Sequence, residues 1–235
     1  MAQAIFKSWF IDFEPFGGEI PVDWKKGHFN ELIISTLGGD WGKESPINNY
    51  KQKVYCVRGA DIPEVIQGNI GKMPVRYILQ KNYTSKHLTA NDIIIEISGG
   101  SPTQSTGRCA LITQSFIERY EHGMVCTNFC RAVKPKSKYS EFIYYYWRYL
   151  YDQGTMFLYE NGTTGIKNFD ITNFLTVESI IIPTFEVTEK FSSTIKTITA
   201  AIFSNGLEIE KLTKTRDTLL PRLMSGEISV SQATK

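Results

Sequence analysis

Apolar residues near the end of the chain recur at alternating steps of three and four positions. Nine positions follow this rule and seven are apolar: Ile195, Ile198, Ile202, Asn205, Ile209, Leu212, Arg216, Leu219 and Leu223. The heptad spacing predicts an α-helix whose apolar stripe packs against a second helix. At ~1.5 Å per residue, a helix from about Glu186 to Leu220 would be roughly 50 Å long, and Pro221 is expected to end or kink it. One small domain cannot cover such a helix, so we expect it to reach a partner.

The opening residues form a short amphipathic stretch from about Ala2 to Phe13. Its apolar residues stand at helical offsets: Ile5, Trp9, Phe10 and Phe13. Pro15 and the Gly17-Gly18 pair are expected to end it. The sequence therefore divides into a short N-terminal helix with its connection, a middle domain and a long helix with its tail, which span residues 1–18, 19–185 and 186–235.

The middle segment predicts mainly strands and turns. The predicted strands are Val54–Arg58, Asp92–Ile97, Ala110–Thr113, Met124–Ala132 and Ser179–Ile182. The predicted turns are Gly38-Gly39-Asp40, Gly99-Gly100-Ser101-Pro102, Lys134-Pro135-Lys136 and Asn161-Gly162. Together with the long helix, this pattern favours an α+β fold with a β-sheet core, followed by a C-terminal helix that forms an antiparallel coiled coil.

One helix is predicted to interrupt the strands, from Glu141 to Tyr151, and it is aromatic on nearly every face. Aromatic side chains could form a stacking platform for bases, as in proteins that bind single strands. They could equally be buried against the sheet with the tyrosine hydroxyls at the edges. Burial is the favoured interpretation.

Composition limits the function without deciding it. The chain has 235 residues and a net charge of +2, which is modest for a protein that binds nucleic acid alone. A DNA-binding face would need local clustering of charge or a more basic partner. The N-terminus has no signal-peptide pattern and no apolar run reaches the ~20 residues of a membrane span, so a cytoplasmic location is expected.

No catalytic motif stands out in the sequence. There is no phosphate-binding loop ending in Gly-Lys-Ser/Thr, and no Asn/Asp-Pro-Pro-aromatic tetrapeptide of the kind found in amino-methyltransferases. His28 and His87 have no partner motif. His122, Cys126 and Cys130 are spaced by four, but they lie in a strand-like context without a fourth ligand, which favours buried thiols over zinc. We predict a non-enzymatic chain without cofactor or metal.

Four stretches together resemble the specificity subunits of type I restriction-modification enzymes. They are residues 4–15 (AIFKSWFIDFEP), 18–24 (GEIPVDW), 161–168 (NGTTGIKN) and 215–228 (TRDTLLPRLMSGEI). Members of that family usually carry two target-recognition domains, each followed by a long helix, and the two helices pair antiparallel to set the distance between two half-sites. This chain has one domain and one helix, so it resembles a half-length subunit or a C-terminal half.

The resemblance implies a homodimer that reads a bipartite DNA target. A single apolar seam cannot bury itself, so a second copy of the chain is the expected partner. Antiparallel helices would hold two recognition domains over an inverted repeat with unread base pairs between its halves. Asn205 and Arg216 would set the helix register, or they would face solvent at imperfect positions; both readings stay open. Gly206 costs about 1 kcal/mol of helix propensity.

The resemblance also implies that loops enter the major groove of double-stranded DNA. The candidate loops are Gly38–Lys53, Ser98–Arg108 and Glu160–Phe169. Their candidate DNA-contacting residues are Lys43, Ser45, Asn48, Asn49, Lys51, Thr103, Gln104, Ser105, Arg108, Lys167 and Asn168. The Thr163-Thr164-Gly165 stretch is expected to shape a loop and not to read a base.

The implied protein partners are the modification subunit, a methyltransferase that uses S-adenosylmethionine, and through it the restriction subunit. A candidate docking face consists of charged residues outside the seam: Glu208, Lys211, Lys214 and Arg222. The alternative function is a structural assembly factor, or truncated cassette, that binds the modification subunit without reading DNA. An enzyme with an unrecognised site is a third and weaker hypothesis.

Overall fold

Helices and strands alternate along the chain, which confirms the predicted α+β class. The computed structural model describes residues 1–99, 101, 103–162 and 166–229. In these ranges the helices are α1 (Ala2–Phe10), α2 (Ile62–Ile66), α3 (Gln80–Lys86), α4 (Gln114–Ile117), α5 (Ser140–Asp152), α6 (Ile171–Val177) and α7 (Phe185–Met224). The strands are β1 (Lys25–His28), β2 (Ile33–Gly38), β3 (Tyr50–Val57), β4 (Val75–Leu79), β5 (Ile93–Glu96), β6 (Ser98–Gly99), β7 (Cys109–Leu111), β8 (Met124–Cys126), β9 (Cys130–Pro135), β10 (Glu160–Asn161), β11 (Lys167–Phe169) and β12 (Ser179–Ile182).

The strands form small sheets from segments that are distant in sequence. The largest described sheet is antiparallel, with the order β2-β9-β5-β7. In a second sheet, of order β4-β3-β8, strand β3 pairs parallel with β8. Strands β10-β11-β6 and β1-β12 form two further antiparallel sheets. Every residue of β5 is buried, so this apolar strand lies at the centre of the domain.

Two predictions about the middle segment were wrong in detail, and four short helices were missed. Met124–Ala132 is not one strand, because Thr127–Phe129 form a turn in which the Phe129 N–H donates to Thr127 Oγ1 at 3.3 Å. Lys134 and Pro135 are not a turn but the end of β9, where Pro135 needs no further ladder hydrogen bond. Helices α2, α3, α4 and α6 were not predicted, because four to seven residues carry too little periodicity to distinguish a helix.

The N-terminal helix α1 packs into the core instead of standing apart. It ends at Phe10, earlier than predicted, and Phe13 adopts a left-handed conformation at φ 54°. Phe6 and Phe10 are fully buried, whereas Ile5 and Trp9 are only partly covered. The ring of Phe10 contacts those of Phe142 and Phe191, each at 5.0 Å between centroids. Helices α1, α5 and α7 therefore share one aromatic core.

The aromatic helix α5 is buried, as favoured, and is not a base-stacking platform. Trp147 is fully buried, and its indole N–H donates to the carbonyl of Gly107 at 2.7 Å. Tyr144, Tyr145 and Tyr146 each keep less than a tenth of their surface exposed. Because these rings fill the space between the sheets and α7, none of them is open to a nucleotide.

Helix α7 is longer than predicted and runs through Pro221. It has 40 residues, which corresponds to about 60 Å. Proline removes only its own amide donor, and the Ser225 N–H still donates to the Pro221 carbonyl at 2.9 Å. Of the two expectations for Pro221, that it ends the helix was wrong, because the loss of one amide donor leaves the hydrogen bonds of the following residues in place and the helix continues to Met224.

The first half of α7 packs on its own domain. Ile195 is 1% exposed within the core, and Ile198 packs against the same cluster. The prediction that Ile195 contacts a second copy was therefore wrong, because its side chain is covered by its own chain. Further along, Gly206 lies against the Gly68 carbonyl so closely that an added Cβ would collide with it.

Beyond Gly206 the apolar stripe of α7 is largely uncovered. Ile209 and Leu212 are 57% and 61% exposed, and Leu219 and Leu223 are half-buried. Asn205 and Arg216 are exposed, and Arg216 pairs with the adjacent Asp217 at 2.7 Å. Of the predicted seam, the distal half remains open to a partner.

Candidate nucleic-acid interface

The three predicted loops lie next to one another. Strand β6 pairs with β11, with Ser98 opposite Asn168, which joins the second loop to the third. Trp41 of the first loop and Ser98 of the second line the same cleft. Loops that are separated by more than a hundred residues thus form a continuous surface.

The first loop, Gly38–Lys53, is held at both ends and presents polar side chains between them. The Lys43 N–H donates to the Tyr77 carbonyl and the Tyr77 N–H to that of Lys43, both at 2.9 Å. A tight turn closes with the Tyr50 N–H donating to the Ile47 carbonyl. Asn48 in this turn has φ 52°, a left-handed conformation that asparagine tolerates. The exposed candidates of this loop are Lys43, Ser45, Asn48, Asn49 and Lys51.

The second loop presents two of its four candidate residues freely. Thr103 and Gln104 are exposed at a turn in which the Ser101 hydroxyl accepts from both of their N–H groups. Ser105 is 3% exposed, so the prediction that it contacts DNA was wrong because neighbouring residues cover it. Arg108 forms a two-point ion pair with Glu96, with both N–O distances at 2.7 Å.

The lysine of the third loop, Lys167, forms an ion pair within the domain. Lys167 Nζ lies 2.9 Å from the buried carboxylate of Glu160. Burial alone would raise the pKa of Glu160, but hydrogen bonds from Lys167 and Thr106 outweigh burial and hold that pKa below its usual value. Asn168 is exposed. Arg108 and Lys167 therefore neutralise carboxylates within the fold, which leaves little of their charge for phosphate. Thr163, Thr164 and Gly165 lie outside the described residues.

Sequence reasoning missed a cleft at the centre of this surface. It has a volume of about 420 Å³ and is bordered by Trp41, Arg58, Ala60, Ser98, Asn128 and Phe129. Phe129 is 60% exposed and Trp41 38%. The predicted strand Met124–Ala132 hid the turn that carries Asn128 and Phe129. The polar pair Thr127-Asn128 in an otherwise apolar run was the signal that could have revealed it.

The walls of this cleft are rigid. The Arg76 guanidinium lies 3.7 Å from the centre of the Trp41 ring and pairs with Glu44 at 3.0 Å. The Asp40 N–H donates to the Cys126 carbonyl at 2.8 Å, which ties the Trp41 loop to the Thr127–Phe129 turn. Gly39 is required there, because a Cβ would collide with the Thr127 carbonyl. Both aromatic side chains therefore project from fixed backbone.

The described residues include no group of three or more His, Cys, Asp and Glu side chains that could hold a metal ion. Burial raises the pKa of the Cys56 and Cys130 thiols to about 12, so these thiols stay protonated at neutral pH. No described helix is apolar enough over a sufficient length to cross a membrane.

Comparison with known proteins gives a consistent result. Residues 21–214 match the family described as type I restriction modification DNA specificity domain. The MjaIX specificity subunit of a type I restriction enzyme from Methanocaldococcus jannaschii is 28% identical over 99% of this chain and 53% of its own length. The S subunit of a type I system from M. genitalium has a similar fold, with a TM-score of 0.55 and 16% identity over 88% of this chain and 48% of that one. A chain from a structure on complex assembly of the type I R-M system gives a TM-score of 0.52 and 15% identity over 94% and 50%. This chain thus spans about half the length of these relatives.

Proposed function

Since the chain belongs to the type I restriction modification DNA specificity family, we propose that it recognises the DNA target for a methyltransferase and does not itself catalyse a reaction. The observation that carries the proposal is the grouping of three polar loops on one surface of the domain. Their exposed amide, hydroxyl and ammonium groups are those that recognise base edges and phosphates in the major groove.

We further propose that two copies associate through the distal half of α7. Ile209 and Leu212 are large apolar side chains that are more than half exposed on the distal part of α7. A second helix would cover them. Antiparallel pairing would place two copies of the reading surface at opposite ends of a rod, over an inverted repeat with a spacer of fixed length.

We also propose that the modification subunit docks on this assembly, and that the restriction subunit joins through it. The charged face of α7 outside the seam, with Glu208, Lys211, Lys214 and Arg222, is exposed and continues along the projecting part of the helix. Such charges contribute little individually, so the docking would depend on several of them together.

The function is tested by selection from a random duplex library with the purified chain and its modification subunit. Enrichment of a split palindrome is the expected result. Binding without sequence preference would contradict the proposal and support the assembly-factor alternative. The isolated chain, given S-adenosylmethionine, should transfer no methyl group to DNA; measurable methylation would contradict the non-catalytic role.

Dimerisation is tested by sedimentation of the complex and of the isolated chain. The double variant Ile209→Asp and Leu212→Asp should lower the mass to that of one copy, because two buried carboxylates cannot be accommodated in an apolar seam. Thr218→Asp places a similar charge at an exposed position outside both the seam and the docking face, and should leave the mass unchanged. Equal masses for all variants would contradict pairing through α7.

A further inference from the structure

The cleft between Trp41 and Phe129 differs from the rest of the candidate surface because two exposed aromatic rings form part of its walls. Phe129 is more than half exposed. Its backbone is nevertheless fixed, since the Ile97 N–H donates to the Phe129 carbonyl at 2.9 Å. An aromatic ring that a rigid turn holds in water retains unburied apolar area, which a binding partner would cover.

The polar residues that line the cleft are Arg58, Glu96, Ser98, Thr127 and Asn128. The Glu96 carboxylate is neutralised by Arg108, and the Thr127 hydroxyl accepts from the Phe129 N–H. The Arg58 guanidinium is held by Asp61, with Nε–Oδ2 and Nη2–Oδ1 distances of 2.9 Å, and its charge is largely balanced. Asn128 is exposed beside Phe129, and the part of the chain that the structure describes contains no hydrogen bond from its amide group. The cleft thus offers a free amide beside two exposed aromatic rings, those of Trp41 and Phe129.

This combination matches the major-groove edge of one base pair. An asparagine amide can donate to N7 and accept from N6 of adenine, while an aromatic or alanine side chain contacts the C5-methyl group of thymine. The other pairs lack one of these two features: guanine offers two acceptors, and cytosine carries no methyl group. The surrounding surface adds exposed lysines that suit a polyanion, among them Lys43 and Lys51.

We infer that this cleft reads an A·T base pair of duplex DNA, with Asn128 on the adenine and Phe129 against the thymine methyl group. Trp41, held by Arg76, forms the opposite wall and fixes the position of the pair. The inference rests on the proposed DNA-reading function and deepens it, because it identifies specificity-determining residues outside the three loops expected from the sequence.

The test uses the duplex selected with the chain and its modification subunit. Each thymine of a half-site is replaced in turn by deoxyuridine, which removes only the methyl group. At one position the wild-type complex should bind about fourfold more weakly, the effect of one buried methyl group. Phe129→Ala should bind the thymine and uracil duplexes equally. Asn128→Ala should lower the affinity for the duplex with adenine at the same pair by roughly 5- to 150-fold. Replacing that adenine by 7-deazaadenine should weaken binding by the wild type in the same way.

Phe185→Ala is the matched control, since Phe185 is a partly exposed aromatic residue at the start of α7, away from the cleft. This variant should retain the full difference in affinity between the thymine and deoxyuridine duplexes. If the wild type selects a target but no thymine methyl matters, or if Phe129→Ala keeps the methyl preference, the inference is overturned while the proposed function stands. If the wild type selects no sequence at all, both fail.

Discussion

Replacing Gly206 by alanine should destabilise the protein, although alanine is the better helix former. In an exposed helix the change from glycine to alanine stabilises by about 1 kcal/mol. Here the new Cβ would collide with the Gly68 carbonyl, which is backbone and cannot turn aside. Arg119 donates to the same carbonyl, which helps to hold the Gly68 turn, a left-handed turn with φ 76°, in place.

The magnitude follows from these two opposing effects. Forcing one extra carbon into a closed contact typically costs 1–3 kcal/mol. After the gain in helix propensity is subtracted, the free energy of unfolding should fall by about 1 kcal/mol. This corresponds to a fall in Tm of roughly 2–4 °C for a domain of this size. Thermal unfolding followed by circular dichroism measures the shift.

Ser204→Ala is the control on the same helix. Ser204 is exposed, so this change should leave the Tm unchanged or raise it slightly. If Gly206→Ala raised the Tm as Ser204→Ala does, the close crossing of α7 over the Gly68 turn would be refuted. Helix propensity alone would then account for both variants.

Three further predictions concern the core and its buried groups. Trp147→Phe removes the indole donor to the Gly107 carbonyl and should lower the free energy of unfolding by about 1–3 kcal/mol in urea titration, because that buried carbonyl is left unpaired; an unchanged midpoint would contradict this. The pKa of Glu160 is lower in the folded state, so its ion pair with Lys167 stabilises the fold above pH 4.5 and is lost as the pH falls through that lower pKa. Glu160→Gln should therefore lose less Tm on acidification than the wild type. If the Tm of both proteins fell equally with pH, the stabilising role of this ion pair would be contradicted. The four buried cysteines should react slowly with a thiol reagent at pH 8 and fully after denaturation, because burial raises their pKa values; rapid native labelling would exclude that burial.

Long-range periodicity made the ends of the chain predictable, but not what covers them. The heptad pattern located α7 because a stripe repeated over 29 residues, from Ile195 to Leu223, stands out from local noise. The same pattern could not tell that Ile195 would face its own core and Ile209 the solvent, since both are isoleucines in equivalent positions. Which surface covers an apolar stripe is decided by tertiary contacts, here the rings of α1 and α5.

Local signals were weakest at the candidate interface. Ser105, Arg108 and Lys167 resembled free polar loop residues, yet the partners that engage Arg108 and Lys167, Glu96 and Glu160, stand 12 and 7 positions away. The turn at Asn128 was hidden because strands β8 and β9 are apolar and nearly continuous in sequence. Side-chain pairing of this kind depends on the fold. Sequence alone could therefore suggest the loops, but it could not show which of their polar residues are free to bind DNA and which are paired within the domain.

The mounting of α7 at Gly206 has a geometric consequence for any assembly that measures distance. From Gly206 to Met224 the helix extends about 27 Å, at ~1.5 Å per residue. The described ion pair that ties this part to the domain, Arg119–Glu210 at 3.0 Å, lies in its first turns. A tilt of 10° at the mounting would swing the tip by about 5 Å, more than the ~3.4 Å rise of one base pair. The accuracy with which such an assembly fixes the spacing between half-sites would therefore depend less on the length of α7 than on the stiffness of its contact with the domain, where the backbones of Gly206 and Gly68 meet.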